Sequence, residues 1–234
     1  AFLVLAGSYS LYALWDNGQV YAAADNVQAE LLKLKPEEKA DNGASFEELR
    51  KINQDVCGWI TLDHTNIDLP VLQGKDNLTY INTDVYGEFA MAGSIFLDSG
   101  CDRSFRQKYS LLYGHHMENH QMFGDLDLYK KENFFNKNRT GTLYLPEEQI
   151  HLEILACLSV SSSEENIFTP EKWETDTKGL LKFASDHAVL VQQDLLKELM
   201  ESGDSPRILA MSTCSSEFTD ARTVLLAEMK EEET

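Results

Sequence analysis

The sequence lacks several features that mark particular classes of protein. It has 5 prolines in 234 residues and no low-complexity tract, which argues against a disordered chain. No segment repeats with a period of roughly 20 to 50 residues, so solenoids and propellers are not expected. The composition, with 43% hydrophobic residues, suits one globular domain, or one domain with an appendage.

Positive charge is also scarce. The chain carries 20 Lys and Arg residues against 39 Asp and Glu residues, which gives a formal net charge of −19 at pH 7. A surface this acidic repels the phosphates of nucleic acids, and no basic stripe along the chain offsets the total. We therefore expect no nucleic-acid partner.

Cysteine is present without the spacing of a metal site or a disulfide framework. The four residues, Cys57, Cys101, Cys157 and Cys214, include no C-x-x-C pair. Cys57 and Cys157 lie in apolar segments and are predicted to be small buried residues. The sequence therefore predicts no metal and no cofactor, and it leaves a thiol available for chemistry.

Residues 1–15 form an uncharged and mostly apolar run that ends at Asp16. It is shorter than the roughly 20 residues of a transmembrane helix. We interpret it as the outer end of an N-terminal membrane anchor, because Tyr12 and Trp15 then lie where interfacial aromatic residues are found. A buried helix of the domain and the remnant of a signal peptide are the alternatives.

The remaining pattern predicts a β-barrel with helices added to it. Helical periodicity covers residues 20–35 and 45–56 near the start of the chain, and residues 170–186 and 193–202 near its end. Many short segments rich in β-branched and aromatic residues are bounded by turn residues, which favours a barrel over a doubly wound sheet. These segments are 59–62, 67–73, 94–97, 109–113, 141–145, 151–160, 188–191, 207–212 and 223–229.

One candidate for chemistry is a hairpin near the C-terminus. Residues 209–214 (LAMSTC) and the segment from Arg222 are apolar, and a polar loop joins them. The hairpin brings Cys214 and Arg222 to the same end of the sheet, where a guanidinium favours a thiolate and can also bind an oxyanion. The alternative is a buried cysteine, with Arg222 paired to Asp220 or Glu217.

A base is predicted where residues 111–117 (LLYGHHM) leave a strand. Gly114 permits a sharp turn, so that His115 is displayed at the strand end. His115 and His116 are adjacent and diverge, and no acidic residue lies at ligand spacing, so metal binding is not predicted. The other histidines are assigned to structural or loop positions: His64, His120, His151 and His187.

These motifs together resemble the sortases, and most closely class B. The shared features are the Gly-His strand end at residues 114–115, the segment 122–125 (MFGD), the S-T-C strand at 212–214 with Arg222 downstream, and the segment 67–77. The resemblance implies a closed β-barrel with two N-terminal helices and a helix between the sixth and seventh strands. It divides the chain into an anchor at 1–16, helices packed on the barrel at 17–56, and the catalytic barrel at 57–234.

The resemblance also implies an activity and roles for residues. Cys214 would be the nucleophile, His115 the acid and base, and Arg222 the stabiliser of the oxyanion, while Ser212 and Ile81 would line the groove for the sorting peptide. The partners would be the sorting signal of a secreted surface protein and an amine from a peptidoglycan precursor or a pilin. The enzyme would be held in the cell membrane by its single N-terminal span, with the catalytic domain outside the cytoplasm.

Several alternatives remain open at this point. The Asp-Pro-aromatic lid motif of the pilus-assembling class C enzymes is missing, which argues against class C, but some class B-like enzymes also polymerise pilins, so this activity stays open. The barrel could instead be an inactive surface-binding module, whereas a papain-like hydrolase would place its cysteine on a helix before the histidine. Asp125 and Asp220 are candidates for a third, acidic member of the site. The segment 161–187 is predicted to carry specificity for the sorting signal.

Overall fold

The computed structural model describes residues 2–37, 42–203, 205–214 and 221–231. In these residues the chain forms nine strands and six α-helices, with short 3-10 segments between them. The strands are β1 (Val56–Leu62), β2 (Asp68–Leu72), β3 (Ile95–Leu97), β4 (Tyr109–His115), β5 (Thr140–Tyr144), β6 (Gln149–Ser161), β7 (Ala188–Val191), β8 (Ile208–Cys214) and β9 (Ala221–Glu231). The helices are α1 (Phe2–Leu31), α2 (Gly43–Ile52), α3 (Glu132–Lys137), α4 (Glu165–Phe168), α5 (Thr177–His187) and α6 (Gln193–Glu201).

Eight of the strands close into a barrel. Their order is β5-β1-β2-β3-β4-β8-β9-β6, and pairing between β5 and β6 completes the ring. Strand β6 is 13 residues long, so it pairs with β5 through its first half and with β7 beyond that, which places β7 outside the closed ring. The predicted helix-decorated barrel is confirmed. Two neighbouring pairs, β2–β3 and β4–β8, run parallel, and the other pairs are antiparallel.

Two clusters of buried side chains hold this arrangement together. The larger cluster fills the barrel and continues under the C-terminal helices, with fully buried residues such as Ile60, Leu111 and Leu226. The smaller cluster lies on the outside of the barrel, where Trp59 packs with Phe46 of α2 and with the end of α1. Successive residues of a strand point to opposite faces, so β1 serves both clusters.

The second predicted N-terminal helix is present as α2, but it begins and ends at different residues. It begins at Gly43 rather than Ser45, and the side chain of its N-cap residue Asn42 makes no capping hydrogen bond. It ends at Ile52, and Val56 already belongs to β1, where it is fully buried. Val56 fits the helical pattern of the sequence, but in the structure it pairs with β2 as part of a strand.

The predicted localisation, in the cell membrane through a single N-terminal span, is wrong. Among the residues that the structure describes, no helix combines the length and the apolar character needed to cross a bilayer. Residues 2–15 of the apolar run lie within α1, which continues through Asp16 to Leu31, and Tyr12 and Trp15 are both 60% exposed. The proposed domain boundary at residue 16 lies within α1, and the division of the chain into three parts stays a prediction.

The connection between β6 and β7 is fastened to the barrel. It contains α4, a 3-10 segment at Pro170–Trp173 and α5. The hydroxyl of Tyr109 in β4 donates to the carbonyl of Ile167 at 2.9 Å, and the indole of Trp173 donates to the carbonyl of Asn166 at 2.8 Å. Because Ile167 and Trp173 are buried, this part of the connection belongs to the core.

Candidate active site

The three residues predicted to be catalytic lie at one end of the barrel, on three adjacent strands. Strands β4 and β8 are parallel neighbours in which His115 is the partner of Cys214. Strand β9 lies antiparallel on the other side of β8, and its register with β8 runs to the pair Ser212 and Val224. Continuing that register by two residues brings Arg222 opposite Cys214. Neighbouring strands lie about 4.8 Å apart, so the three backbones are close together.

Gly114 precedes His115 for a reason that differs from the predicted one. Strand β4 continues through His115, so the chain does not turn at the glycine. A Cβ atom at this position would lie 2.3 Å from Cδ1 of Ile95 and 2.8 Å from the ring of Phe123. Glycine is therefore required by close packing behind the histidine.

The imidazole of His115 is held by a backbone carbonyl. Its Nε2 lies 2.7 Å from the carbonyl oxygen of Ile81, and the side chain is half-buried. A carbonyl oxygen only accepts hydrogen bonds, so Nε2 carries a proton in this arrangement. Nδ1 is then the ring atom that remains for proton exchange. Ile81 was predicted for the peptide groove, and its backbone has this second role.

A pocket of about 250 Å³ opens beside these strand ends. Ile81, Ser212 and Arg222 line it together, so the structure brings both predicted groove residues to the same pocket as the arginine. Ser212 forms part of the buried floor, since it is fully buried. Phe168 of the β6–β7 connection also lines the pocket, and its ring stacks on that of Tyr113 with centroids 6.3 Å apart.

Cys214 is described through its backbone, and its thiol lies outside the described part of the structure. The other three cysteines are free and buried, with exposures of 2% for Cys57, 7% for Cys101 and 0% for Cys157. Burial raises the pKa of each of these three thiols to about 12. Since the thiolate is the nucleophilic form, none of the three is suited to nucleophilic catalysis.

The structure describes one of the two acidic candidates for a third member of the site, Asp125. Asp125 is buried, and its carboxylate is 2.6 Å from Nδ1 of His120 and 2.7 Å from the backbone nitrogen of Asn66. Within the described residues, no carboxylate is hydrogen-bonded to His115. Asp220 lies outside the described residues.

A different carboxylate, not identified by the sequence analysis, lies next to the site. Asp127 accepts hydrogen bonds from Nε2 of His116 at 2.9 Å and from the hydroxyl of Thr223 at 2.6 Å, and it is 2.6 Å from the ammonium of Lys130. The bond from His116, with those from Lys130 and Thr223, holds the pKa of Asp127 well below its usual range. The same bond raises the pKa of His116. Asp127 is therefore ionised throughout the physiological range.

Comparison with known proteins identifies the family. No family model matches the sequence. Sortase B of Listeria monocytogenes is 32% identical over 179 residues, which cover 75% of this chain and 70% of that protein. The chain belongs to the sortase family. Sortase B of Staphylococcus aureus is 26% identical to this sortase over 229 residues, or 97% of this chain and 91% of that protein.

Solved structures agree with this assignment. The S. aureus sortase B–substrate complex has a TM-score of 0.78 at 26% identity and covers 94% of this sortase and 100% of that chain. A class B sortase of Streptococcus pyogenes involved in pilus biogenesis has a TM-score of 0.71 at 32% identity, covering 80% of this chain and 99% of that one. The predicted family, its class B character and the cysteine transpeptidase activity are thereby confirmed.

Proposed function

We propose that this sortase uses Cys214, His115 and Arg222 to transfer the acyl part of a sorting signal to an amine, and so anchors surface proteins to the cell wall. The observation that carries the proposal is the register of three adjacent strands. His115 is the partner of Cys214 in β4–β8, and the register of β8–β9 brings Arg222 alongside at the same rim. A nucleophile, an acid and base, and an oxyanion donor are the groups that acyl transfer requires.

The chemistry follows in two steps. The thiolate of Cys214 attacks a peptide carbonyl, so that a C–S bond forms, the C–N bond breaks, and protonated His115 gives its proton to the leaving amine. A second amine then attacks the thioester, gives a proton to neutral His115, and expels the thiolate. In both steps Arg222 stabilises the negative charge on the carbonyl oxygen. Because Nε2 is bound to the Ile81 carbonyl, we assign the proton transfers to Nδ1 of His115.

The groove for the sorting peptide is proposed to be the 250 Å³ pocket lined by Ile81 and Ser212. Part of its wall comes from the β6–β7 connection, which contributes Ser162 and Phe168. Changes of sequence in the β6–β7 connection would alter this wall of the pocket without disturbing the strand ends that carry the catalytic residues. The connection is therefore suited to determine specificity for the sorting peptide. Trp173 has no direct part in this, since it is buried in the core.

The acceptor is proposed to be an amine of a peptidoglycan precursor. A second candidate is the amine of a pilin, because the S. pyogenes relative, at 32% identity, is involved in pilus biogenesis. The two acceptors differ in size, since one is a short peptide branch and the other a folded protein. A competition assay with a short peptide amine and an intact pilin as acceptors therefore distinguishes wall anchoring from polymerisation.

The roles of the three residues are tested by single substitutions. Cys214→Ala, His115→Ala and Arg222→Ala should each nearly abolish transpeptidation while the far-UV circular dichroism and the melting temperature stay close to those of the wild type. Loss of one oxyanion donor typically costs about 10²–10³ in rate. Arg222→Lys should also be poor, since a point charge does not replace a planar fork of donors. Full activity in Arg222→Ala would contradict the assignment.

A further inference from the structure

Asp127 lies at the point where the chain segments that carry His115 and Arg222 come together. His116 follows His115 directly, and Thr223 follows Arg222 directly. Both neighbours donate to the carboxylate of Asp127, at 2.9 Å and 2.6 Å. One carboxylate thus connects the end of β4 to the start of β9.

The connection extends to the strand that carries Cys214. The backbone nitrogen of Thr223 donates to Oγ1 of Thr213 at 3.1 Å, and Thr213 directly precedes Cys214. This bond lies one residue beyond the last backbone pair of the β8–β9 ladder, Ser212 and Val224. At this end of β8 and β9, a hydrogen bond to a side chain therefore holds the two strands together where the backbone ladder ends.

Two features strengthen the bond from Thr223 to Asp127, although the Asp127 side chain is itself 42% exposed. Thr223 is 5% exposed and Thr213 is 4% exposed, so water competes little for their hydroxyls. The bond from His116 and the ion pair with Lys130, three residues after Asp127, keep the carboxylate charged. A hydrogen bond to an ionised group is roughly twice as strong as one between neutral groups. Adjacent strand residues point to opposite faces, so Asp127 binds Thr223 on the face opposite to that of Arg222.

We propose that Asp127 is a positioning residue, which holds the strand ends so that the side chains of His115 and Arg222 are in register with Cys214. The inference rests on the roles proposed above for these three residues. Asp127 itself touches none of the reacting atoms. It acts through Thr223 and His116, whose backbones are continuous with the catalytic residues, and a small displacement of such groups reduces a rate by a large factor.

The test uses a small probe that needs no knowledge of the sorting motif. The second-order rate constant for alkylation of Cys214 by iodoacetamide is measured from pH 5 to pH 10 in the full-length protein, and its inflection reports the pKa of the thiol. The variants are Asp127→Asn, which removes the charge, and Thr223→Val, which removes one hydroxyl at nearly constant shape. Arg222→Ala is measured beside them as the reference for a lost guanidinium.

The matched control is Glu153→Gln. Glu153 accepts from Lys230 at 2.6 Å and from Arg139 at 3.4 Å, so it also joins strands through a carboxylate. It is the partner of Glu228, near the other end of β9 from Arg222. We expect this variant to lower the melting temperature slightly and to leave the alkylation profile unchanged.

Positioning and simple charge predict opposite directions. If Asp127 holds Arg222 in place, both Asp127→Asn and Thr223→Val raise the inflection by roughly 0.5–1 pH unit, and the rate at pH 7 falls about three- to tenfold. If Asp127 acts only by its charge through space, Asp127→Asn lowers the inflection and Thr223→Val leaves it in place. A purely structural role changes the melting temperature without changing the profile.

Either of the last two results overturns the inference, and Thr223→Val decides the question even if Asp127→Asn fails to fold. The proposed function has a separate point of failure. If Arg222→Ala itself leaves the profile and the transpeptidation rate at wild-type values, the role of Arg222 is wrong, and the positioning role of Asp127 is lost with it. If Arg222→Ala is impaired and both other variants match the wild type, only the inference about Asp127 is wrong.

Discussion

Alkylation of the native protein should be confined to Cys214. Cys57, Cys101 and Cys157 are buried, and burial raises their thiol pKa values to about 12. At pH 8 such a thiol is ionised to about one part in 10⁴, whereas a thiol with an ordinary pKa of about 8.5 is about one quarter ionised. The difference in thiolate fraction is therefore about 2,000-fold, before steric protection of the buried sulfur atoms is considered.

The assay is a time course with iodoacetamide at pH 8, followed by intact-mass measurement and peptide mapping. The native protein should take up one equivalent quickly, at Cys214, and the denatured protein should take up four, since the chain has four cysteines. The variant Cys214→Ala, treated in the same way, should take up no label while it stays folded. Loss of transpeptidation should follow modification of Cys214 in time.

The reasoning would be refuted by either of two results. Rapid labelling of Cys57, Cys101 or Cys157 in the folded protein would show that burial does not protect these thiols. Slow labelling of Cys214, at the rate of the buried residues, would favour the alternative of an inactive surface-binding barrel.

Three further predictions follow from the site and its surroundings. Gly114→Ala should lower the free energy of unfolding by about 1–3 kcal/mol, because the new Cβ atom would overlap Ile95. Calorimetry should show no comparable loss for the control Gly203→Ala, where no atom lies within 4 Å of the added Cβ. The bond to Asp127 raises the pKa of His116, so the pair contributes its full stability below pH 6.5 and loses it as the pH rises through the raised pKa. The side chains of His116 and Asp127 are 33% and 42% exposed, so this contribution is small. In thermal melts, His116→Gln should cost only about 0.5 kcal/mol of stability at pH 5.5 and less at pH 8.5. Residues 161–187, grafted onto a sortase of different specificity, should carry the peptide preference with them, and a preference that stays with the recipient barrel would contradict this.

The periodicity of the sequence predicted all nine strands but not where they end. Strand β4 extends to His115, beyond the apolar alternation that ended at residue 113, and β9 begins at Ala221, before the predicted start of its apolar pattern. Polar residues continue a strand when a neighbouring strand pairs with them, and that neighbour lies far away in the sequence. For β4 and β8 it lies about 100 residues away, in a parallel pair that no local signal reveals.

Only part of the site was predicted, again because contacts between residues far apart in the chain leave no local signal in the sequence. The types and order of His115, Cys214 and Arg222 matched a known family, which supplied the three-dimensional relation that spacing alone does not give. Asp127 gave no signal, since an acidic residue in a polar segment is usually solvated. Its importance depends on Thr223, 96 residues away in the chain. The localisation prediction was wrong because the apolar run of 15 residues is too short to cross a bilayer and α1, the helix that contains it, continues with polar residues.

The central claim is that Cys214 forms a thioester with the sorting peptide, and the most direct measurement is the intact mass of the protein during turnover. The protein is mixed with a panel of sorting-signal peptides, without an acceptor amine, and sampled over time. The account predicts an adduct with the mass of the peptide's acyl part, located at Cys214 by peptide mapping and released when an amine is added. It also predicts no adduct in Cys214→Ala. Cleavage of a peptide by Cys214→Ala, or an adduct on any other residue, would contradict it.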